Sequence, residues 1–306
     1  MATAQERAQI GPARRDWIGL AALVLMWGTA FVFIRLGVET IPPEGVAAGR
    51  IASAALLLCA AVRLSGLRFP RLGRIWLHFL VLGIVGNALP FFLIGWGQER
   101  VDSGLSATLM AVNPLVTLVL AHRFVPGERM TPGRTAGFLV GFAGIVVLIG
   151  PEALREFGGS SSDVARQGAI LAGAMCYAAS SILVRRLPET HALVASAAVL
   201  AMASLVIVPI ALVLSPPSSL SPSLGSLGAV AWLGVVPTAL ATIVYFRVIA
   251  SAGPTFLSLV NYLVPLVALA AGFAAYAERP SWNAVAALVL VLSGIALAQA
   301  RARSSA

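Results

Sequence analysis

Apolar runs recur along this chain at nearly regular spacing, with short polar breaks between them. Ten such runs stand out: 17–36, 44–64, 75–98, 103–121, 134–150, 167–184, 192–214, 226–249, 254–276 and 282–300. A helix needs roughly 20 apolar residues to cross the hydrocarbon core of a bilayer. Strands of a membrane barrel would alternate apolar and polar residues, and these runs do not. The pattern predicts an all-α membrane protein with ten transmembrane helices. The longest polar stretch is 151–166, PEALREFGGSSSDVAR, whose clustered Gly and Ser predict a flexible linker. A second loop, SPPSSLSPS at 215–223, is uncharged.

The runs also repeat. MAVNPLVTLVLAHRFVPGER around Pro114 reads like NYLVPLVALAAGFAAYAER around Pro265. Each closes on a Glu-Arg pair, Glu128-Arg129 and Glu278-Arg279, and Gly144-Ile145 and Gly294-Ile295 follow at equal distance. At the same offset of 150 residues, Arg35 falls on Arg185, Glu39 on Glu189, Thr40 on Thr190 and Trp27 on Tyr177. Residues 17–150 and 167–300 therefore form two halves of five helices joined by the linker. Five is odd, so the halves must enter the membrane in opposite senses. The expected architecture is an inverted 5+5 repeat, the plan of many secondary transporters.

Charge adds the orientation. Only 11% of the 306 residues are charged, and all 21 basic residues are arginines. Such residues favour the cytoplasmic side. One set of alternate loops and tails holds Arg7, Arg14, Arg15, Arg63, Arg68, Arg71, Arg74, Arg123, Arg129, Arg134, Arg185, Arg186, Arg247, Arg301 and Arg303. The other set holds only Arg35, Arg100, Arg155, Arg166 and Arg279. Both termini are expected in the cytoplasm, in a multi-pass protein of a bacterial inner membrane. The arginines sit singly or in pairs between apolar spans, so topology accounts for the net charge of +9 and no nucleic-acid surface is implied. The run from Trp17 is too long for a signal-peptide core and reads as a retained helix. Cys59 and Cys176 lie within spans, as small buried residues rather than a disulfide framework.

WGTAFVFIRLGV, GLSATLMAVNPLVTLVLAHRFVPGER and GFLVGFAGIVVLIG in the first half resemble the EamA repeat of the drug/metabolite transporter superfamily. FLSLVNYLVPLVALAAGFAAYAER and LVLSGIAL are similar to its second copy. The resemblance runs from about 17 to 300. It implies ten helices, an inverted repeat, and export or exchange of small metabolites, amino acids being well represented among them. One departure is Ala277, where the second copy usually carries a glycine like Gly127 of the first.

Polar side chains in hydrocarbon are costly and turn toward the bundle interior. Arg50 lies about two turns into the second span. It is placed to attract the carboxylate of a substrate, or alternatively to snorkel or pair with Glu39 or Glu44. Its repeat mate is Leu200. Asn87 precedes Pro90 in the third span, where the missing proline donor frees a carbonyl near residue 86 that could take a substrate ammonium. Asn113 adjoins Pro114, Asn261 precedes Pro265 by one turn, and Pro237 with Thr238 is the rough counterpart of the third-span break. Pro90, Pro114, Pro237 and Pro265 are candidate hinges, and static kinks are the plainer alternative. Trp27, Tyr177 and Tyr245 could line a cavity for apolar groups or hold a cation, or serve as interfacial anchors. Trp17, Trp76 and Trp282 begin spans and read as anchors.

His78, His122 and His191 share no metal-binding spacing, and no nucleophile elbow or phosphate loop occurs. No catalytic residue, metal or cofactor is expected. Gly-rich runs such as GFLVGFAG are helix-packing surfaces. The twelve acids lie at span ends or in loops, Glu99 beside Arg100 being the deepest, which predicts transport down the substrate's gradient or by exchange, without a deep proton relay. The expected function is a secondary transporter that exports or exchanges small metabolites, amino acids or related compounds, by alternating access. A flippase for lipid-linked substrates is the alternative within the superfamily. A membrane-embedded enzyme would need a nucleophile or metal cluster at depth. A receptor or scaffold would need no inverted repeat. The expected partners are a small-molecule substrate and the lipid bilayer, and oligomeric state does not follow from the chain.

Overall fold

The computed structural model describes residues 13–125, 130–155, 162–257 and 259–300. Ten helical passes follow one another among them: α1 (Arg14–Val38), α2 (Pro43–Leu64), α3 (Arg74–Gly83 and Leu89–Gln98), α4 (Ser103–Met110 and Asn113–Phe124), α5 (Pro132–Arg155), α6 (Ser162–Val184), α7 (Ala192–Leu214), α8 (Leu224–Gly234 and Ala241–Leu257), α9 (Val260–Tyr276) and α10 (Trp282–Ala300). Two passes are widened by a π-turn, Ile84–Ala88 in α3 and Val235–Leu240 in α8. Seven of the helices are long and apolar enough to cross a membrane, and Leu263–Tyr276 and Trp282–Leu297 are shorter apolar helices.

Local signals set the helix starts. Proline at the first position of α2 sacrifices an N–H that would have had no partner anyway. His191 and Ser223 accept from Leu193 N and Ser226 N, capping α7 and α8. Large apolar side chains such as Leu56, Leu205 and Val213 point outward and remain exposed, whereas Ile51, Leu58 and Leu233 are fully buried. That inside-out distribution is what a bilayer-embedded bundle requires.

Helix pairing follows the repeat. α2 packs on its mate α7, and α5 on its mate α10. The pair α1–α9 is matched by α6–α4, and α1–α8 by α6–α3. The α2–α7 seam is tight because it is built from alanine beside larger residues: Ala54 and Leu58 against Ala197 and Leu200. In the α5–α10 seam a Cβ on Gly294 would stand 2.5 Å from the Gly137 carbonyl oxygen, so the helices touch backbone to backbone. The glycine-rich runs do serve as packing surfaces.

Three boundaries differ from the sequence reading. Helix α5 continues through Pro151 to Arg155 and α6 begins at Ser162, leaving only 156–161 of the expected 151–166 linker, outside the described residues. Helix α8 passes Pro254 and ends at Leu257, so the ninth pass begins at Val260 rather than 254. Burial of Phe256 and Leu257 against Leu20 and Leu23 of α1, with Trp17 edge-on to Phe256 at 4.9 Å, holds that segment helical. Finally, Pro265 does not interrupt its span: α9 runs through it. The break in α4 falls at Ala111 and Val112, just before Asn113-Pro114. The Glu128-Arg129 pair lies outside the described residues.

Candidate functional site

A cavity of about 620 Å³ lies between the two halves. Its volume is that of a small-molecule site. Trp27, Arg50, Asn87 and Asn113 reach it from the first half, and Tyr177, Tyr245 and Asn261 from the second. Pro114, Pro237 and Pro265 are also on its wall. Pro90 is not; it is buried at the start of the second half of α3. Residues scattered over more than 230 positions are thus brought together by the pairing of repeat mates.

The two π-turns face the cavity from opposite halves. Each follows a glycine that allows close approach to the other half. A Cβ on Gly83 would sit 2.7 Å from the Val199 carbonyl of α7, and one on Gly234 would strike Ser53 and lie 3.0 Å from the Arg50 carbonyl of α2. Since α2 and α7 are repeat mates, the two contacts are equivalent. Wide turns of this kind cluster at functional positions.

In α8 the π-turn carries a hydrogen-bond relay. Pro237 has no N–H, so the carbonyl of Leu233 lacks its ordinary helical partner. The Thr238 hydroxyl donates to that carbonyl at 2.7 Å. Arg50 in turn donates from Nε to Thr238 Oγ1 at 2.7 Å. The Pro237 carbonyl accepts from Trp27 Nε1 at 3.1 Å. Two side chains of the first half therefore grip two consecutive residues of the second.

Arg50 is 7% exposed, and its guanidinium carbon stands 3.8 Å from the centroid of the Phe91 ring. It pairs with neither of the carboxylates considered from sequence. Glu44 accepts from the Ser215 hydroxyl, and Glu39 from the Tyr276 hydroxyl. No carboxylate among the described residues forms an ion pair with Arg50. A guanidinium carries five N–H groups and keeps its charge in proteins. One is used on Thr238, and no other hydrogen-bond acceptor of Arg50 is found among the described residues.

The aromatic side chains flank this cation. Phe91 lies between Arg50 and Tyr177, with its ring centroid 6.4 Å from that of Tyr177. Trp27 and Tyr245 lean together at 6.0 Å. Asn113 accepts from the Thr117 hydroxyl at 3.1 Å. Sequence reading noted Thr238 beside Pro237 but passed over Phe91, Ser181 and Thr242, which also line the wall. Thr238 carried a signal, a hydroxyl directly after a proline in an apolar span; Phe91 carried none.

At one end of the bundle the halves are tied by charge. Arg35 of α1 pairs with Asp102 at 2.6 Å and with Glu278. Glu278 also accepts from the N–H groups of Ser103 and Gly104 at the start of α4, at 3.0 and 3.1 Å. Arg166 of α6 pairs with Glu99 and stacks on Trp96. Glu99, the deepest acid by sequence, is therefore engaged in an ion pair at a helix end and does not line the cavity.

The sequence model described as the EamA-like transporter family matches residues 17–150 and again 168–299. The chain belongs to the EamA-like transporter family. Among its relatives is the uncharacterized inner membrane transporter YedA of Escherichia coli, 27% identical over 89% of this chain and 88% of the relative. An uncharacterized transporter of Archaeoglobus fulgidus is 25% identical, covering 92% and 96%. A probable terminal-alkyne amino-acid exporter of Streptantibioticus cattleyicolor is 27% identical over 92% of each chain. A solved crystal structure of 25% identity covers 94% of this chain and 98% of its own, with a TM-score of 0.67. This EamA chain is accordingly a multi-pass membrane protein with a transporter role.

Proposed function

We propose that this EamA transporter exports or exchanges small metabolites bearing a carboxylate, amino acids or related compounds, across the bacterial inner membrane. The observation that carries the reading is Arg50. It is the sole charged side chain on the wall of the central cavity among the described residues. Its guanidinium meets a carboxylate in bidentate geometry, and the neighbouring rings of Phe91, Tyr177, Trp27 and Tyr245 receive an apolar substituent. The relative described as a probable amino-acid exporter supports the substrate class.

Transport proceeds by alternating access. The halves 17–150 and 167–300 rock about the cavity, with Pro90, Pro114, Pro237 and Pro265 as the hinge positions that absorb the change. The arginine distribution supports both termini in the cytoplasm, and on that orientation the Arg35–Glu278 pair ties the halves together on the outer side.

The test is a thermal-shift screen of purified protein against amino acids, N-acyl amino acids and other small carboxylates. A compound that binds the folded state raises its melting temperature by mass action. Stabilisation by carboxylates that Arg50→Gln abolishes supports the reading. Failure of every carboxylate to shift the wild type overturns it.

A further inference from the structure

Arg50 raises a second question: what happens to its charge when the cavity is empty. In this structure the guanidinium is already only 7% exposed, with Thr238 as its side-chain acceptor and no acidic group on the surrounding wall among the described residues. Closure on both sides would strip away the water that the cavity still admits. The groups that face it are neutral: the Phe91 ring, Thr238, and beyond them Asn87, Tyr177 and Trp27. Enclosing an unpaired charge is strongly unfavourable, and pairing it removes most of that penalty. An anion bound in the cavity supplies that pairing.

We infer that Arg50 makes closure of the cavity conditional on a bound anion, so that this carrier works as an exchanger of small carboxylates rather than as a uniporter. The inference rests on the substrate class proposed above and adds the mode of transport. With a carboxylate on the guanidinium, the charge inside the closed cavity is neutralised, and the halves rock readily. Without one, the loaded-to-empty return is slow, because it must carry an uncompensated cation through the closed state. The carrier therefore returns fastest with a second anion aboard. The same balance ranks ligands. A compound of net charge −1 compensates Arg50 fully. A zwitterion brings an ammonium for which the wall offers only amide groups, hydroxyls, aromatic faces and carbonyls. A cation adds to the charge already present.

Wild-type protein in proteoliposomes tests this with external labelled leucine and, separately, labelled N-acetyl-leucine. The interior holds the same unlabelled compound, leucinamide, or buffer alone. Exchange predicts that internal N-acetyl-leucine accelerates uptake of its labelled form by at least about tenfold over buffer, a modest share of what an unpaired buried charge costs, while leucinamide gives no acceleration. Equal uptake with and without an internal anion overturns exchange and leaves the substrate class intact. Absence of uptake of both probes, with no thermal shift by either, overturns the substrate class and the inference together. Thr238→Val keeps the charge and, at saturating anion, keeps the acceleration; its loss there overturns the inference. Should Thr238→Val fail to fold, the wild-type comparison alone still decides.

Discussion

Arg35 and Glu278 are 243 positions apart and form an ion pair that bridges the two halves. Glu278 is 7% exposed at its side chain, and its two oxygens also accept from the Ser103 and Gly104 amides. The residue is thus simultaneously a cap for α4 and a clasp on α1. Charge-assisted hydrogen bonds of this kind are individually strong. We expect Glu278→Gln to lower stability by about 2 kcal/mol, and Arg35→Gln to cost a similar amount by leaving the carboxylate unpaired. The double substitution is expected to cost less than the sum. Unfolding midpoints of the four proteins in detergent form the cycle that measures the coupling.

Ala277 adopts φ 53 and ψ 29, the left-handed region, directly before Glu278. Among the described residues it is the one non-glycine with positive φ. A Cβ is unfavourable there. Ala277→Gly should raise stability by about 0.5 to 1 kcal/mol after the extra freedom of glycine in the unfolded chain is set against it. A lower unfolding midpoint for the variant would contradict that account.

Thr238 holds the Arg50 side chain and satisfies the Leu233 carbonyl with one hydroxyl. Replacing it by valine keeps the shape and removes both bonds. We expect the concentration of carboxylate needed for half-maximal transport to rise about tenfold, the equivalent of one charge-assisted hydrogen bond. Thr238→Ser restores the hydroxyl and should recover most of the loss. Kinetics of the three proteins at matched amounts in vesicles supply the comparison.

Gly294 approaches Gly137 and Gly141 so closely that any side chain displaces α10 from α5. Gly294→Val should destabilise by about 2 kcal/mol or more, as overpacking does. Neither helix contributes to the cavity wall. The loss should therefore register in the unfolding midpoint, with half-saturating substrate concentration unchanged in whatever protein remains folded.

Much of this was legible because a bilayer is an exacting solvent. Ten apolar runs stand out in the sequence, and among the described residues seven of the helices they form have the length and hydropathy of a membrane span. Arg50, Asn87, Asn113 and Asn261 are conspicuous in apolar runs, since such side chains face inward or cost too much, and pairing of the repeat mates brings them to one cavity. What stayed hidden depends on partners far along the chain. The capping role of Glu278 requires the start of α4 to lie beside it, which no local pattern states. The π-turns leave no trace in hydropathy, because one more apolar residue in an apolar run looks like any other. The extension of α8 to Leu257 comes from burial against α1, overriding the usual reading of proline as a boundary.

The π-turns at Ile84–Ala88 and Val235–Leu240 hold a surplus residue. In an α-helix each residue advances the azimuth by roughly 100°. Everything beyond the turn is swung by that amount relative to a straight helix. In α3 the swing delivers Phe91 and Ile94 to the wall; in α8 it delivers Thr242 and Tyr245. Removing one residue from each turn would leave the composition, the span count and the hydropathy profile nearly untouched, yet it would rotate the lining of the cavity toward lipid. The chemical identity of this chamber is therefore written in phase as well as in residue type.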